Sequence, residues 1–174
     1  LVRSFDQEDG GDGFASRLIT TISIILFVLV AVGMYFAPAL VRLYAPEFFT
    51  TGFEVEKEIA IAFTRYCLPQ IFFLGLFTML GQVANARGSF APLMWAPIAN
   101  NIVGIALFGA FLVFSPSVSI DNISNIQVQI LGWGTTLSVV VQALILVPVI
   151  KRLGITLRPQ WGVKGLGKSF GLAG

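Results

Sequence analysis

Residues 87–114 decide the fold, and they read RGSFAPLMWAPIANNIVGIALFGAFLVF. A charged, glycine-containing hinge leads into an apolar run of membrane-spanning length, because a helix needs roughly 20 apolar residues to cross a bilayer. Two prolines and the adjacent amides Asn100 and Asn101 fall in its first half. An amide in hydrocarbon is costly unless it finds a partner. The stretch therefore predicts a helix with other helices, or a water-filled cavity, beside it.

The composition of the whole chain indicates the same lipid environment. Of the 174 residues, 56% are hydrophobic and only 11% are charged, whereas soluble domains carry about 25% charged residues. The single cysteine, Cys67, and the absence of histidine exclude an internal disulfide and remove the commonest general base and metal ligand. A net charge of +2 gives no reason to expect nucleic acid as a partner. We expect an integral membrane protein with no cofactor, no metal and no covalent chemistry.

Four apolar segments predict an all-α membrane protein, and no segment alternates with the period of two that a β-barrel needs. The predicted transmembrane helices are residues 18–43, 59–84, 90–114 and 130–150. The predicted loops are residues 1–17, 44–58, 85–89, 115–129 and 151–174. At the end of the second loop, the next helix is expected to start at Glu54, Glu56, Lys57 and Glu58, since acidic residues suit a helix N-terminus. Because the chain starts with Leu1 rather than Met, we also expect it to be a piece of a longer protein.

Lysines and arginines are distributed unequally between the two sides of these spans. One side holds Arg3, Arg17, Arg87, Lys151, Arg152, Arg158, Lys164 and Lys168, and the other holds Arg42 and Lys57, with Arg65 close by. The positive-inside rule then places both termini in the cytoplasm. The acidic loop 1–17, the turn 85–89 and the basic amphipathic tail 151–174 would be cytoplasmic, and loops 44–58 and 115–129 external. The tail is typical of a segment that lies on the membrane surface.

Five polar residues in or beside the second and third spans are candidates for a substrate cavity or a gate: Arg65, Asn85, Arg87, Asn100 and Asn101. Arg65 lies four residues before Pro69, and a proline inside a helix frees a backbone carbonyl. An arginine at this depth either snorkels to the interface or lines a cavity. Asn85 and Arg87 belong to the following turn, where Gly88 is typical of a helix C-terminus.

The third and fourth spans contain small and polar residues that predict helix contacts. Ala96, Asn100 and Gly104 recur every four residues, which favours close helix approach. Asn100 or Asn101 is expected to help satisfy the backbone freed by Pro97. The first half of the fourth span is small and hydroxylated, with Gly132, Gly134, Thr135, Thr136 and Ser138. We expect the second and fourth spans to be the neighbours of the third.

Two runs in the middle of the chain resemble a known family. Residues 65–76, RYCLPQIFFLGL, look like the fourth helix of the MurJ/MviN lipid II flippases. Residues 81–102, GQVANARGSFAPLMWAPIANNI, are similar to that family's turn into its fifth helix. The resemblance covers nearly the whole chain, but only the third to sixth of the family's fourteen helices.

The resemblance implies part of the N-terminal helical lobe of the MOP superfamily. It implies transport of lipid II, the lipid-linked peptidoglycan precursor, across the bacterial inner membrane by alternating access. The partners would be lipid II, membrane lipids and the remaining helices of the same polypeptide. Arg65, Asn85 and Asn100 match motif positions, whereas the family's main substrate-contacting arginines lie in helices outside this chain. A packing or hinge role for the three matching residues therefore stays open beside a role in the cavity.

Two alternatives to the flippase remain. One is another transporter of the superfamily, either a polysaccharide-lipid flippase or a multidrug antiporter. An antiporter is expected to carry an acidic residue inside a span, and the predicted spans contain none. The other is a helical membrane scaffold subunit without transport, in which the asparagines and glycines would serve helix packing alone.

Overall fold

The fold is known from a computed structural model that describes residues 12–115, 118–119 and 122–155. These residues form helices and turns without a strand. The helices are α1 (Asp12–Tyr35), α2 (Ala37–Tyr44), α3 (Glu54–Cys67), α4 (Pro69–Ala86), α5 (Ala91–Phe114) and α6 (Asn125–Arg152), with a short 3-10 helix at Pro46–Phe49.

Four stretches of the described residues are long and apolar enough to cross a membrane. They are Gly13–Tyr35, Glu54–Ala86, Ala91–Phe114 and Asn125–Arg152. Helices α3 and α4 together form the second stretch, which is 33 residues long. The prediction of an all-α fold with four helices of membrane-spanning length is confirmed.

Three helices begin earlier than the apolar pattern indicates. Helix α1 begins at Asp12 rather than at residue 18. Helix α3 begins at Glu54, before the apolar span at residue 59, where the acidic residues predict a helix N-terminus. Helix α6 begins at Asn125 rather than at residue 130. In each case polar residues form the first turns, because a helix end outside hydrocarbon can be polar.

The start of α6 has a specific cause, a capping box. The backbone N–H of Gln127 donates to the Ser124 hydroxyl over 3.3 Å, and the Ser124 N–H donates to Oε1 of Gln127 over 2.8 Å. The two side chains satisfy donors that have no partner inside the helix. The predicted external loop 115–129 therefore ends at Ser124. The predicted acidic segment before Asp12 and the basic tail after Ile155 lie outside the described residues.

Prolines separate two pairs of helices. Helix α1 ends at Tyr35, and Pro38 lies in the first turn of α2. Pro69 is the first residue of α4, directly after the break at Leu68. A proline suits the first turn because its missing N–H would have no partner there. Pro97 and Pro148, by contrast, lie inside α5 and α6, where the helices continue.

Helix α6 is the centre of the bundle. It packs against α3, α4 and α5, while α1 packs on α4 and α2 on α3. Leu146 of α6 is fully buried. It belongs to a cluster at the end where α1 begins and α4 and α6 end, formed by Ala15, Leu80, Val83, Ala84, Leu146, Ile150 and Ile155. The prediction that α5 has the second and fourth spans as neighbours is confirmed, with α6 the dominant contact.

Helices α4 and α6 end in the same way, at a glycine with positive φ. Gly88 has φ +78°, its N–H donates to the Asn85 carbonyl over 2.9 Å, and the Ser89 N–H donates to the Ala84 carbonyl over 3.0 Å. Gly154 has φ +71° and the same pair of bonds. This is the Schellman motif, in which glycine avoids the steric cost of a side chain. The helix end predicted at Gly88 is confirmed.

Candidate functional site

Polar contacts join α6 to the break between α3 and α4. The Thr136 hydroxyl donates to the backbone carbonyl of Tyr66 over 2.7 Å. The Thr135 hydroxyl lies 3.4 Å from the thiol of Cys67. A backbone carbonyl near a helix break needs a donor when water is scarce. Helix α6 supplies that donor, so it holds the end of α3 in place.

Two glycines let α6 come close to its neighbours. A Cβ atom at Gly132 would lie 2.5 Å from the Cβ of Tyr66, and one at Gly134 would lie 2.4 Å from a methyl carbon of Leu107. At Gly132 a side chain has no room, because the Cβ of Tyr66 is fixed to its backbone, whereas at Gly134 the Leu107 side chain would have to shift. The predicted use of the small first half of α6 for helix contacts is confirmed. Gly132 faces α3 and Gly134 faces α5, so α6 packs closely against two helices at once.

An open groove of about 420 Å³, mainly apolar but with two amides and a hydroxyl in its lining, lies between α5 and α6. Its lining residues are Asn100, Asn101, Gly104, Ile105, Phe108 and Ser138. Asn100 is half-buried and Asn101 is exposed. Neither side chain hydrogen-bonds to a described residue, so the predicted help for the backbone near Pro97 is not present here. Both amides are available to a further partner.

The expected close approach along Ala96, Asn100 and Gly104 is only partly correct. Ala96 is fully buried against the bundle. A Cβ atom at Gly104, however, would meet nothing within 4 Å. Helix α5 stays close to α6 beyond this point, at Leu107, so Gly104 lines the groove without touching α6 through a side chain. The small residue therefore leaves free space in the described part of the molecule.

The turn after α4 brings Asn85 and Arg87 together at one end of the bundle. Oδ1 of Asn85 is buried and accepts no hydrogen bond from the described residues. Arg87 is exposed at the C-terminal cap of α4. A cation is favourable there because the last carbonyls of a helix carry partial negative charge. The geometry gives both residues a structural place in the turn.

Arg65 stands apart from the other candidates. It lies in the last turn of α3, is exposed, and makes no hydrogen bond or ion pair with the described residues. The structure thus brings Asn100 and Asn101 together in the groove and Asn85 and Arg87 together in the turn. It does not join these groups into one pocket with Arg65.

The sequence pattern did not single out the contact between Thr136 and Tyr66. A threonine pair after Gly132-x-Gly134 in an apolar helix indicates a helix contact, yet it does not name the partner. The partner is set by the break at Leu68, which brings the Tyr66 carbonyl opposite α6. The capping box at Ser124 was readable as Ser-x-x-Gln and marks the start of α6.

The described residues contain no group of three side chains able to hold a metal ion. What they offer is a central helix with glycine contacts, unpaired amides at a membrane-length helix, and broken helices. Together with the four helices of membrane-spanning length, these features indicate a multi-span helical membrane protein.

The family model described as "Lipid II flippase MurJ" matches residues 2–172. The chain therefore belongs to the MurJ family, which confirms the resemblance seen in the sequence. A "Probable lipid II flippase MurJ" of Rickettsia prowazekii (strain Madrid E) is 28% identical over 121 residues, covering 67% of this chain and 23% of that protein.

Two further relatives carry the same name. The protein of Buchnera aphidicola subsp. Baizongia pistaciae (strain Bp) is 26% identical over 156 residues, covering 88% of this chain and 28% of that protein. The protein of Vibrio cholerae serotype O1 (strain ATCC 39315 / El Tor Inaba N16961) is 24% identical over 157 residues, covering 87% and 28%. The chain spans about a quarter of the length of these curated relatives.

Proposed function

We propose that this chain is part of a lipid II flippase of the bacterial inner membrane, which moves the precursor across the bilayer by alternating access. The observation that carries the proposal is the family match over residues 2–172. The relatives named as probable lipid II flippases support it. The same match favours the flippase over a polysaccharide-lipid flippase, a multidrug antiporter or a scaffold subunit.

We place the outer boundary of the membrane at the level of three aromatic side chains. Counted at about 20 residues per crossing from the cytoplasmic ends of α1, α4 and α6, this boundary falls near Tyr35, Tyr66 and Trp133. The rings of Tyr66 and Trp133 are 5.7 Å apart, which supports a common level. Aromatic side chains of this kind concentrate at membrane interfaces. Arg65 then lies at the outer interface, the snorkelling alternative of the two we considered.

The two arginines of the candidate set would lie at opposite membrane surfaces. Arg65 and Arg87 are 22 residues apart along α3 and α4, which is about 33 Å at 1.5 Å per residue. They are too far apart to grip one pyrophosphate group together. We propose that α3 and α4 move together as one rigid unit around α6. We also propose that the main substrate-binding groups lie in other helices. Asn85 and Arg87 would then belong to a cytoplasmic hinge.

The proposed activity is tested by depleting the full-length protein. We expect lipid II to accumulate on the inner face, measured by an enzyme or antibiotic probe that reaches only the outer face of intact cells. Expression of the wild-type gene should restore outward lipid II. If the outward signal persists unchanged after depletion, the flippase proposal is wrong.

The proposed sidedness has its own test. In a full-length background in which Cys67 and every other native cysteine are replaced by Ser, Arg87→Cys should react with a membrane-impermeant thiol reagent only after the cytoplasmic side is opened. Ser119→Cys, which lies in the predicted external loop, should react in intact cells. The reverse pattern would invert the topology without affecting the proposed activity.

A further inference from the structure

We infer that α5 and α6 form a binding site for a monovalent alkali-metal cation near the middle of the membrane. Its ligands are the amide oxygens of Asn100, Asn101 and Gln142 and the hydroxyl oxygen of Ser138. From the sequence we expect no metal, because the chain has no histidine and one cysteine. The structure instead brings neutral oxygen ligands onto two facing helices. The inference does not depend on lipid II being the substrate.

The three amides lie at a common depth in the membrane. Asn100 and Asn101 lie about 14 Å along α5 from Ala91, and Gln142 lies about 15 Å along α6 from Arg152, at 1.5 Å per residue. The hydrocarbon core is about 30 Å thick, so these side chains lie near its midplane. A polar side chain at this depth is costly, and for that reason it usually belongs to a functional site.

The contacts between α5 and α6 place Gln142 beside the asparagines. A Cβ atom at Gly134 would lie 2.4 Å from a methyl carbon of Leu107, so these two positions are level. Ser138, one turn further along α6, shares the groove with Asn100, so the two helices run in opposite directions. About two turns from the Gly134 contact, α6 therefore reaches Gln142 where α5 reaches the residue next to Asn100.

The described bundle does not satisfy the three amides. Asn100, Asn101 and Gln142 make no hydrogen bond with residues 12–115, 118–119 and 122–155. Gln142 is nevertheless only 4% exposed. An amide that leaves water without gaining a hydrogen-bond partner is costly. These amides therefore need a ligand that their oxygens can bind.

Two further oxygens near the amides act as acceptors. The Ser138 hydroxyl donates its proton to the Thr135 carbonyl over 2.7 Å, so its lone pairs remain for another group. Pro97 has no N–H, so the carbonyl of Leu93, four residues earlier, lacks its usual helix partner. A helical carbonyl points toward the C-terminal end of its helix, here toward Asn100. The site thus combines oxygen acceptors from both helices.

The chemistry of these ligands favours a monovalent cation. Amide, hydroxyl and backbone carbonyl oxygens are neutral, whereas Ca²⁺ and Mg²⁺ bind through carboxylates. Carbonyl oxygens that replace a hydration shell are the ligands of monovalent cations in channels. In transporters, coupling-ion sites lie near the midplane of the bilayer and include backbone carbonyls. The groove of about 420 Å³ gives an ion access to the amides.

The test measures hydrogen exchange of the full-length protein in detergent micelles, with sodium chloride or choline chloride at equal ionic strength. Sodium should slow exchange of the backbone amides around Asn100 and Gln142, because an ion bound between the folded helices opposes their local opening. At a sodium concentration ten times the Kd, exchange should slow about tenfold. The first turn of α6 at Asn125, far from the site, should not change.

Single substitutions locate the ion. Asn100→Leu and Gln142→Leu each remove one amide oxygen, and should raise the sodium concentration that gives half of the effect by about tenfold or more. Gln70→Leu is the matched control, because it removes a half-buried amide that lines a different cavity. Its sodium response should equal that of the wild type. Ser138→Ala, a smaller change, should weaken the response as well, and replaces the amide variants if they do not fold.

Three results would overturn the inference. Equal exchange in sodium and choline would show that water, rather than a cation, satisfies the amides. A sodium effect that persists unchanged in Asn100→Leu and Gln142→Leu would place the ion elsewhere in the protein. An equal loss of the response in Gln70→Leu would show general destabilisation. None of these measurements involves lipid II, so the flippase proposal stands or fails separately.

Discussion

Helix α6 buries ten of its residues within the described molecule, whereas α5, which is nearly as long and more apolar over its full length, buries only Ala96. Both helices have membrane-spanning length. The difference lies in their small residues, since Gly132 and Gly134 of α6 touch neighbours while Gly104 and Gly109 of α5 face open space. The apolar character of a helix therefore indicates that lipid is its solvent. Glycines in close contact and hydroxyl groups indicate which other helices it packs against.

The largest expected effect comes from the fully buried Leu146 of α6. Leu146→Ala removes packing in the cluster around Leu80 and Ile150, and should lower the free energy of unfolding by about 2–5 kcal/mol. Leu144→Ala on the same helix is the control, because Leu144 is 56% exposed. Thermal unfolding of the full-length protein in detergent measures both. Equal losses for the two variants would contradict the central position of α6.

A glycine-to-alanine substitution tests the difference between α6 and α5 more directly. Gly132→Ala should lower the free energy of unfolding by about 1–3 kcal/mol, because the new methyl group meets the Cβ of Tyr66. Gly109→Ala places the same methyl group on α5, where nothing lies within 4 Å, and should cause no loss. The same unfolding measurement applies. A tolerated alanine at position 132 would show that α3 and α6 pack less closely than described.

The starts of α6 and α5 differ as well, because only α6 begins with a capping box. Ser124→Ala should cost about 1 kcal/mol, because the Gln127 N–H loses its acceptor. Helix α5 has no side-chain cap at Phe90. Ser124→Asp should restore most of the loss, since Asp is also a good cap. Hydrogen exchange of the first turn of α6 provides the measurement, and unchanged protection in Ser124→Ala would rule out the cap.

The smallest expected effect concerns the bond from Thr136 to Tyr66. Thr136→Val keeps the shape of the side chain and removes the donor, so it should cost about 0.6 kcal/mol. Thr136→Ser keeps the donor and serves as the control. The unfolding midpoints of the two variants give the comparison. A larger loss in Thr136→Ser would assign the role of Thr136 to its methyl group.

The number and order of the spans were predictable, because length and hydropathy respond to the bilayer directly. The helix start at Glu54 was predicted from its acidic residues, whereas the predicted spans at residues 18 and 130 begin later than the helices at Asp12 and Asn125, since hydropathy marks only the apolar part of a helix. The capping pattern at Ser124 and Gln127 carried the missing information for α6. The start of α3 has no side-chain cap, because Phe53 makes no such bond, and its signal in the sequence is the acidic first turn with Glu54 and Glu56.

The candidate site was predictable only in its components. The asparagine pair and the small half of α6 stand out by residue type, and both lie where two helices meet. The separation of Arg65 from Asn100 and the bond from Thr136 to Tyr66 depend on how far apart the helices run. That distance is set by side-chain shapes on two segments at once, so no single segment encodes it.

Because Cys67 is the single cysteine of the chain, its reaction rate can measure local opening of the contact between α3 and α6. Cys67 is half-buried, and its sulfur lies 3.4 Å from the Thr135 hydroxyl, between α3 and α6. A bulky thiol reagent reaches the sulfur fully only when the two helices separate locally. The rate of modification then equals the opening equilibrium multiplied by the intrinsic reaction rate, as in hydrogen exchange. Cys67 thus reports on the local separation of α3 and α6 without an introduced cysteine.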